Sequence, residues 1–184
     1  MVVIALRDIS PGDKKMIHGW RNLPEVAEYM YTDHPITLQE HEKWFQHIKT
    51  DASSRYWIIT RDQEEVGLVN LYAIDNRNRR CYWGLYVSGL NARGKGVGSF
   101  TQYAILRYVF DELDFNKLCC EVLSFNRPAI NLYKSFGFVQ EGYFRQHVIK
   151  NSRPMDVVSL AMLQGEWQAK RLRIEERMRR KGLL

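Results

Sequence analysis

A chain of 184 residues with 45% hydrophobic and 12% aromatic content can bury one proper core and is too apolar to remain disordered. Its net charge of +6 is concentrated late in the chain, where seven cations stand against three acids from Gln164 onward, so a nucleic-acid partner is not expected of the body. No apolar run nears the ~20 residues of a membrane span, the five histidines lack metal-ligand spacing, and three cysteines (Cys81, Cys119, Cys120) suggest reduced thiols in a cytoplasmic protein rather than a disulfide framework.

In chain order, residues 2–7 read as a first strand, not as a signal peptide. Ser10-Pro11-Gly12-Asp13 opens a helix towards Trp20, and Pro24 restarts a short one through Tyr31. Thr37-Leu38-Gln39-Glu40 is a capping box for a helix over 38–49, with His41, Trp44, Phe45 and Ile48 at helical spacing. Strands follow over 55–61 and 65–74, joined by a turn at Gln63-Glu64, and a third over 80–87. A helix over 99–112, a strand over 117–123 and a helix from Asn126 to Ser135 lead to strands over 139–145 and 155–162. The last segment, 164–181, is expected to be a helix with a sparse apolar edge of Trp167, Ile174 and Met178, suited to packing on its own domain or on a sister subunit of a homo-oligomer. This order implies an α/β (α+β) fold, a mixed sheet with helices on both faces, with residues 1–163 as the domain and 164–184 as a basic helical extension.

The most informative stretch links the strand over 80–87 to the following helix: Arg93-Gly94-Lys95-Gly96-Val97-Gly98-Ser99. Glycines without Cβ atoms let the main chain curl around an anion, and a helix N-terminus aims free N–H groups at the same place. The dinucleotide fingerprint fails because Ser99 stands where its third glycine belongs, and a Walker loop fails because Lys95 is followed by Gly96. A helix-capping turn that binds nothing is the bland alternative. The spacing that fits is Arg-x-x-Gly-x-Gly. Downstream stands Asn126-x-x-Ala129-x-x-x-Tyr133-x-x-x-Gly137-Phe138.

Together these motifs resemble the GNAT superfamily of N-acetyltransferases over about residues 2–163. The resemblance implies a mostly antiparallel sheet with a V-shaped splay between two parallel strands, and acetyl-CoA as co-substrate with no metal. It assigns the diphosphate to Arg93, Gly94, Lys95, Gly96, Val97, Gly98 and Ser99, and the pantetheine arm to Leu85, Tyr86, Val87 and Asn126. Tyr133 becomes the general acid for the departing thiolate, in direct attack within a ternary complex. Core packing for Tyr133 and a helix N-cap for Asn126 are the structural alternatives. On this reading Gly96→Val would thrust a side chain into the phosphate path.

The acceptor side carries Trp20-Arg21-Asn22, Met30-Tyr31 and Glu40-His41-x-x-Trp44. This pattern looks like the N-acetyltransferases of the pseudaminic-acid pathway, which acetylate the 4-amino group of a UDP-linked 4-amino-4,6-dideoxy-N-acetyl-altrosamine. Arg21 then suits phosphate as a planar fork, Tyr72, Trp83 and Tyr86 offer ring faces, and His41 accepts a proton or orients the sugar, with a water chain as the alternative base. A polyamine acceptor would call instead on Glu25, Glu28, Glu40 and Glu42. A ribosomal-protein N-terminus, or a non-catalytic CoA-binding module riding RNA through the basic tail, are the other readings.

Overall fold

Residues 3–89 and 92–184 are described in a computed structural model, in which seven strands form one sheet. The strands β1 (Ile4–Asp8), β2 (Arg55–Arg61), β3 (Glu64–Asp75), β4 (Arg80–Val87), β5 (Lys117–Leu123), β6 (Val139–Lys150) and β7 (Arg153–Leu163) lie in the order β1-β2-β3-β4-β5-β7-β6. The β4–β5 pair is parallel and the other neighbours are antiparallel. The helices are α1 (Lys14–Arg21), α2 (Pro24–Ala27), α3 (Leu38–Ile48), α4 (Val97–Arg107), α5 (Arg127–Phe136) and α6 (Gln164–Arg180).

Alternation along the central strands divides the core between the two faces of the sheet. Ile58 and Leu68 pack with Ile17 of α1 and Phe45 of α3. Trp57, Ile59, Val69, Leu71 and Trp83 join Leu106 of α4, Ile130 and Phe136 of α5, and Trp167, Ile174 and Met178 of α6. The apolar edge of α6 is thus buried within its own chain, with Trp167 and Met178 at 0% exposure.

Several element boundaries differ from the sequence expectation for identifiable reasons. The β2–β3 turn is Asp62-Gln63, both at positive φ (52° and 70°), the geometry of the tightest hairpin loops, so β3 begins at Glu64. The helix begun by Pro24 ends at Ala27 rather than Tyr31. The carbonyls of Ala27, Met30 and Thr32 accept from the ammonium of buried Lys150, at 3.0, 2.8 and 2.9 Å, Ala27 O also accepting from Met30 N, and that geometry competes with continued helical pairing. Thr37 caps α3 as expected, with Glu40 N donating to its hydroxyl and Thr37 N donating back to the Glu40 carboxylate. The helix after the glycine loop starts earlier, at Val97, and its last turn, Tyr108–Glu112, widens to π geometry. The expected first strand began at Val2, which with Met1 lies outside the described residues.

Candidate active site

β4 and β5 pair only through Arg80–Lys117, Cys81–Leu118 and Tyr82–Cys119, then part. Beyond that point β5 keeps its β7 partner and β4 keeps β3 up to the Gly67–Val87 pair, so the backbone of Trp83–Val87 has lost its β5-side ladder. Gly67 of β3 packs closely against the other edge of β4. A Cβ there would lie 2.3 Å from the Tyr86 carbonyl oxygen, a backbone contact that no rotamer change relieves.

Two cavities open from the wedge. One, of about 710 Å³, is lined by Arg93–Ser99; the other, of about 610 Å³, by residues of α1, α3, β3, β4 and β5. Tyr29, Met30, Leu85, Tyr86, Asn126 and Ala129 line both, so the cavities meet where the strands part. The first holds every loop residue expected to cradle phosphate, together with Leu85, Tyr86, Val87 and Asn126. Leu90 and Asn91, just before that loop, lie outside the described residues.

The loop glycines divide their labour. Gly94 is left-handed (φ 74°) with open space where a Cβ would stand, as a main-chain anion cradle requires. Gly96 is also left-handed (φ 85°), but its missing Cβ faces Leu183 of the tail, 2.5 Å from Cδ2. The side chain of Gly96→Val would meet Leu183, which is itself part of the wall of the loop cavity, so the expected intrusion falls first on the tail. Gly98 admits Leu132 of α5 at 3.2 Å. Arg93 spends an N–H on the Glu25 carbonyl at 2.6 Å, tying the loop to α2.

Asn126 caps α5, accepting from Ala129 N at 3.2 Å through Oδ1, while its amide nitrogen remains a donor for a ligand in the shared wall. One and two turns on, the same helix sets Ile130 and Tyr133 on its buried face. Tyr133 lies against Trp83 and Phe138, with ring centroids at 5.2 and 5.8 Å, and lines the second cavity. Burial pushes its phenol well above 10, so the ring is protonated throughout the working range. Trp83, expected to offer a ring face to the acceptor, does line this cavity, but it is 1% exposed and packed against Tyr133.

Glu121 is the group that sequence reasoning missed. It lines the second cavity with Tyr133 and accepts from the Tyr31 hydroxyl at 3.0 Å. The Tyr72 hydroxyl nearby is raised by burial and then by the Glu121 charge. The available signal was a single carboxylate in the otherwise apolar run Leu118-Cys119-Cys120-Glu121-Val122-Leu123. Its cysteine neighbours are buried, and burial raises both thiols, which makes them poor nucleophiles.

The second cavity also takes in Arg21, His41, Tyr72 and Tyr86. Arg21 ends α1 and is half-buried, with its guanidinium lowered by desolvation and only the Tyr86 phenol acting against that; no described carboxylate pairs with it. The Tyr86 hydroxyl is itself buried without a hydrogen-bond partner among the described residues. His41 is not a solvated helix residue: it is 4% exposed, packed at a tilt between His18 and Trp44, and its Nε2–H donates to the Lys14 carbonyl at 2.7 Å. Of the four glutamates named for a polyamine, Glu40 alone lines this cavity, and its carboxylate already serves the Thr37 cap and His34.

Residues 4–139 match the model of a family described as "Acetyltransferase (GNAT) domain". Acetyltransferase PseH of Campylobacter jejuni is 28% identical over 131 residues, which cover 71% of this chain and 80% of that protein. The spermidine N(1)-acetyltransferase of Vibrio cholerae is 27% identical over 165 residues, 89% of this chain and 95% of that protein. The crystal structure of the Vibrio cholerae spermidine N-acetyltransferase in complex with CoA and spermine has a TM-score of 0.83 and 26% identity, covering 90% of this chain and 98% of that one.

Proposed function

The chain belongs to the acetyltransferase (GNAT) family and is an acetyl-CoA-dependent N-acetyltransferase, and on that premise we propose that its acceptor is the 4-amino group of a UDP-linked amino-deoxy sugar. The observation that carries this reading is Arg21, a half-buried guanidinium that no described carboxylate neutralises, facing the cavity beside the unpartnered Tyr86 hydroxyl. A buried cation without a counter-ion is costly unless a ligand supplies the charge, and a diphosphate does so through a bidentate fork. Tyr72 and Tyr86 add faces for a sugar or uracil ring. The same cation would repel a polyamine.

Acetyl-CoA supplies the thioester. In this scheme Gly94 and the loop around it hold the diphosphate, and Leu85, Tyr86, Val87 and Asn126 flank the arm in the wedge. Glu121 takes the proton that the attacking amine loses and the Tyr133 O–H gives one to the departing thiolate; a proton then passes from the Glu121 carboxyl to the Tyr133 phenolate, which restores both groups for the next turnover. His41 works as a positioning residue, holding α3 to α1 by its bond to the Lys14 carbonyl.

The polyamine reading draws support from the spermidine acetyltransferase relatives and from the carboxylates of Glu40 and Glu121 in the cavity. An RNA-riding tail is weakened because Arg171, Arg177 and Arg179 are tied to Asp111, Glu175 and the Ser135 carbonyl of the chain itself. Thiol release from acetyl-CoA with a UDP-4-amino-sugar, a ribosomal N-terminal peptide and spermidine separates the three acceptors. The sugar nucleotide should turn over fastest. Arg21→Ala should raise its KM about ten- to hundred-fold, the worth of one lost charge-assisted interaction of ~1.5–3 kcal/mol. Preference for spermidine with no effect of Arg21→Ala would transfer the assignment to polyamines.

A further inference from the structure

The tail beyond α6 enters the coenzyme cavity. Gly182 adopts the left-handed conformation (φ 65°); its N–H donates to the Arg179 carbonyl at 2.9 Å and the Leu183 N–H to the Met178 carbonyl at 3.0 Å. This is the glycine-dependent helix stop in which the residue after the glycine folds back onto the last turn. It turns Leu183 under the phosphate loop, where its side chain occupies the space left by the absent Cβ of Gly96. Lys181, fixed between the helix end and this hook, lines the same cavity as Gly94, Lys95 and Gly96.

The charge inventory of that cavity is uneven. Arg93 is committed to the Glu25 carbonyl, and Glu25 itself brings a negative charge to the wall. The carbonyl end of α6 adds negative potential. A coenzyme with a diphosphate and a 3′-phosphate carries more negative charge than Arg93 and Lys95 together offset. Lys181 is an exposed side chain that no ion pair ties to a described residue, whereas Arg171 and Arg179 of the same helix are paired with carboxylates.

We propose that Lys181 is a phosphate ligand of the coenzyme, presented to it by the Gly182–Leu183 hook that locks α6 onto the loop at Gly96. The proposal rests on the coenzyme assignment but not on the acceptor, so it is tested by binding alone. Calorimetric titration of the full chain with CoA and with dephospho-CoA reads it directly. Lys181→Ala should weaken CoA binding about three- to thirty-fold, one charge-assisted contact at a partly solvated site. Lys181→Arg should restore most of that affinity, and the melting temperature should not move.

Leu183→Ala, which frees the hook without altering charge, should weaken binding in the same direction. A loss confined to CoA assigns Lys181 to the 3′-phosphate, and an equal loss with both ligands assigns it to the diphosphate. Unchanged CoA affinity in Lys181→Ala would overturn the proposal. So would an equal loss in Arg173→Ala, which removes the same charge from α6 away from the cavity.

Discussion

In the proposed reaction Tyr133 serves chemistry without titrating. Its hydroxyl is raised well above 10 by desolvation, so it stays a donor wherever the protein is folded. The pH profile of kcat should accordingly show no falling alkaline limb up to about pH 9.5; a limb centred near pH 8 would mean that another group donates. Glu121 and His41 separate in the same way. Glu121→Gln should lower kcat by about 10²- to 10⁴-fold, whereas His41→Gln keeps an N–H for the Lys14 carbonyl and should leave turnover near neutral pH within a few-fold. Burial holds His41 below its ordinary 6.5, so the unfolded chain takes up a proton before the folded one does. The packing it contributes is therefore complete above about pH 6.5 and is lost as pH falls through the lower, folded value. His34 shifts upward through Glu40 and opposes this trend, but it is exposed and its pairing is weak. The drop in melting temperature from pH 7.5 to 5.5 should be smaller in His41→Gln than in the natural chain, and an equal drop would remove His41 from the account.

Among the elements, the parting of β4 from β5 joins the two cavities, and Gly67 on β3 lets β4 approach closely along its other edge. Adding one methyl there forces the Tyr86 carbonyl aside, since 2.3 Å to a backbone oxygen leaves no side chain to yield. Gly67→Ala should cost ~1–3 kcal/mol of stability by overpacking, and it should raise the KM for acetyl-CoA by displacing the strand edge that flanks its arm. Normal coenzyme kinetics in a folded Gly67→Ala protein would dissociate that edge from binding. The strands themselves were legible because their signals are local. β2, β4 and β5 fall on the expected boundaries, each marked by turn residues at its ends. The end of α2 was not legible, because Lys150 terminates it from 118 to 123 residues away in sequence. The near-complete burial of Trp83 was not legible for a related reason. Alternation along β4 separates it from Tyr82 and Tyr86, but the sequence does not say which face meets α5. Glu121 went unread because its meaning depends on Tyr31, brought to it from 90 residues away.

At the scale of the whole molecule, two cores on opposite faces of one sheet assign two tasks. In the proposed reaction the face carrying α1 and α3 shapes the acceptor cavity, and the face carrying α4 and α5 presents the glycine loop and Tyr133. The parted strands join the cavities. Local motifs conveyed this division well, since each lies within one strand–loop–helix unit. Charge complementarity to an acceptor is a property of the assembled cavity and could be weighed only once Arg21 was seen without a partner while Glu40 was engaged. The central claim is that the parting strands bring the thioester beside Tyr133, which protonates the leaving thiolate. Thiol-release turnover of Tyr133→Phe, measured alongside its acetyl-CoA affinity, tests this most directly. The account predicts turnover lower by roughly ten- to ten-thousand-fold with coenzyme affinity little changed; unchanged turnover at unchanged affinity would contradict it.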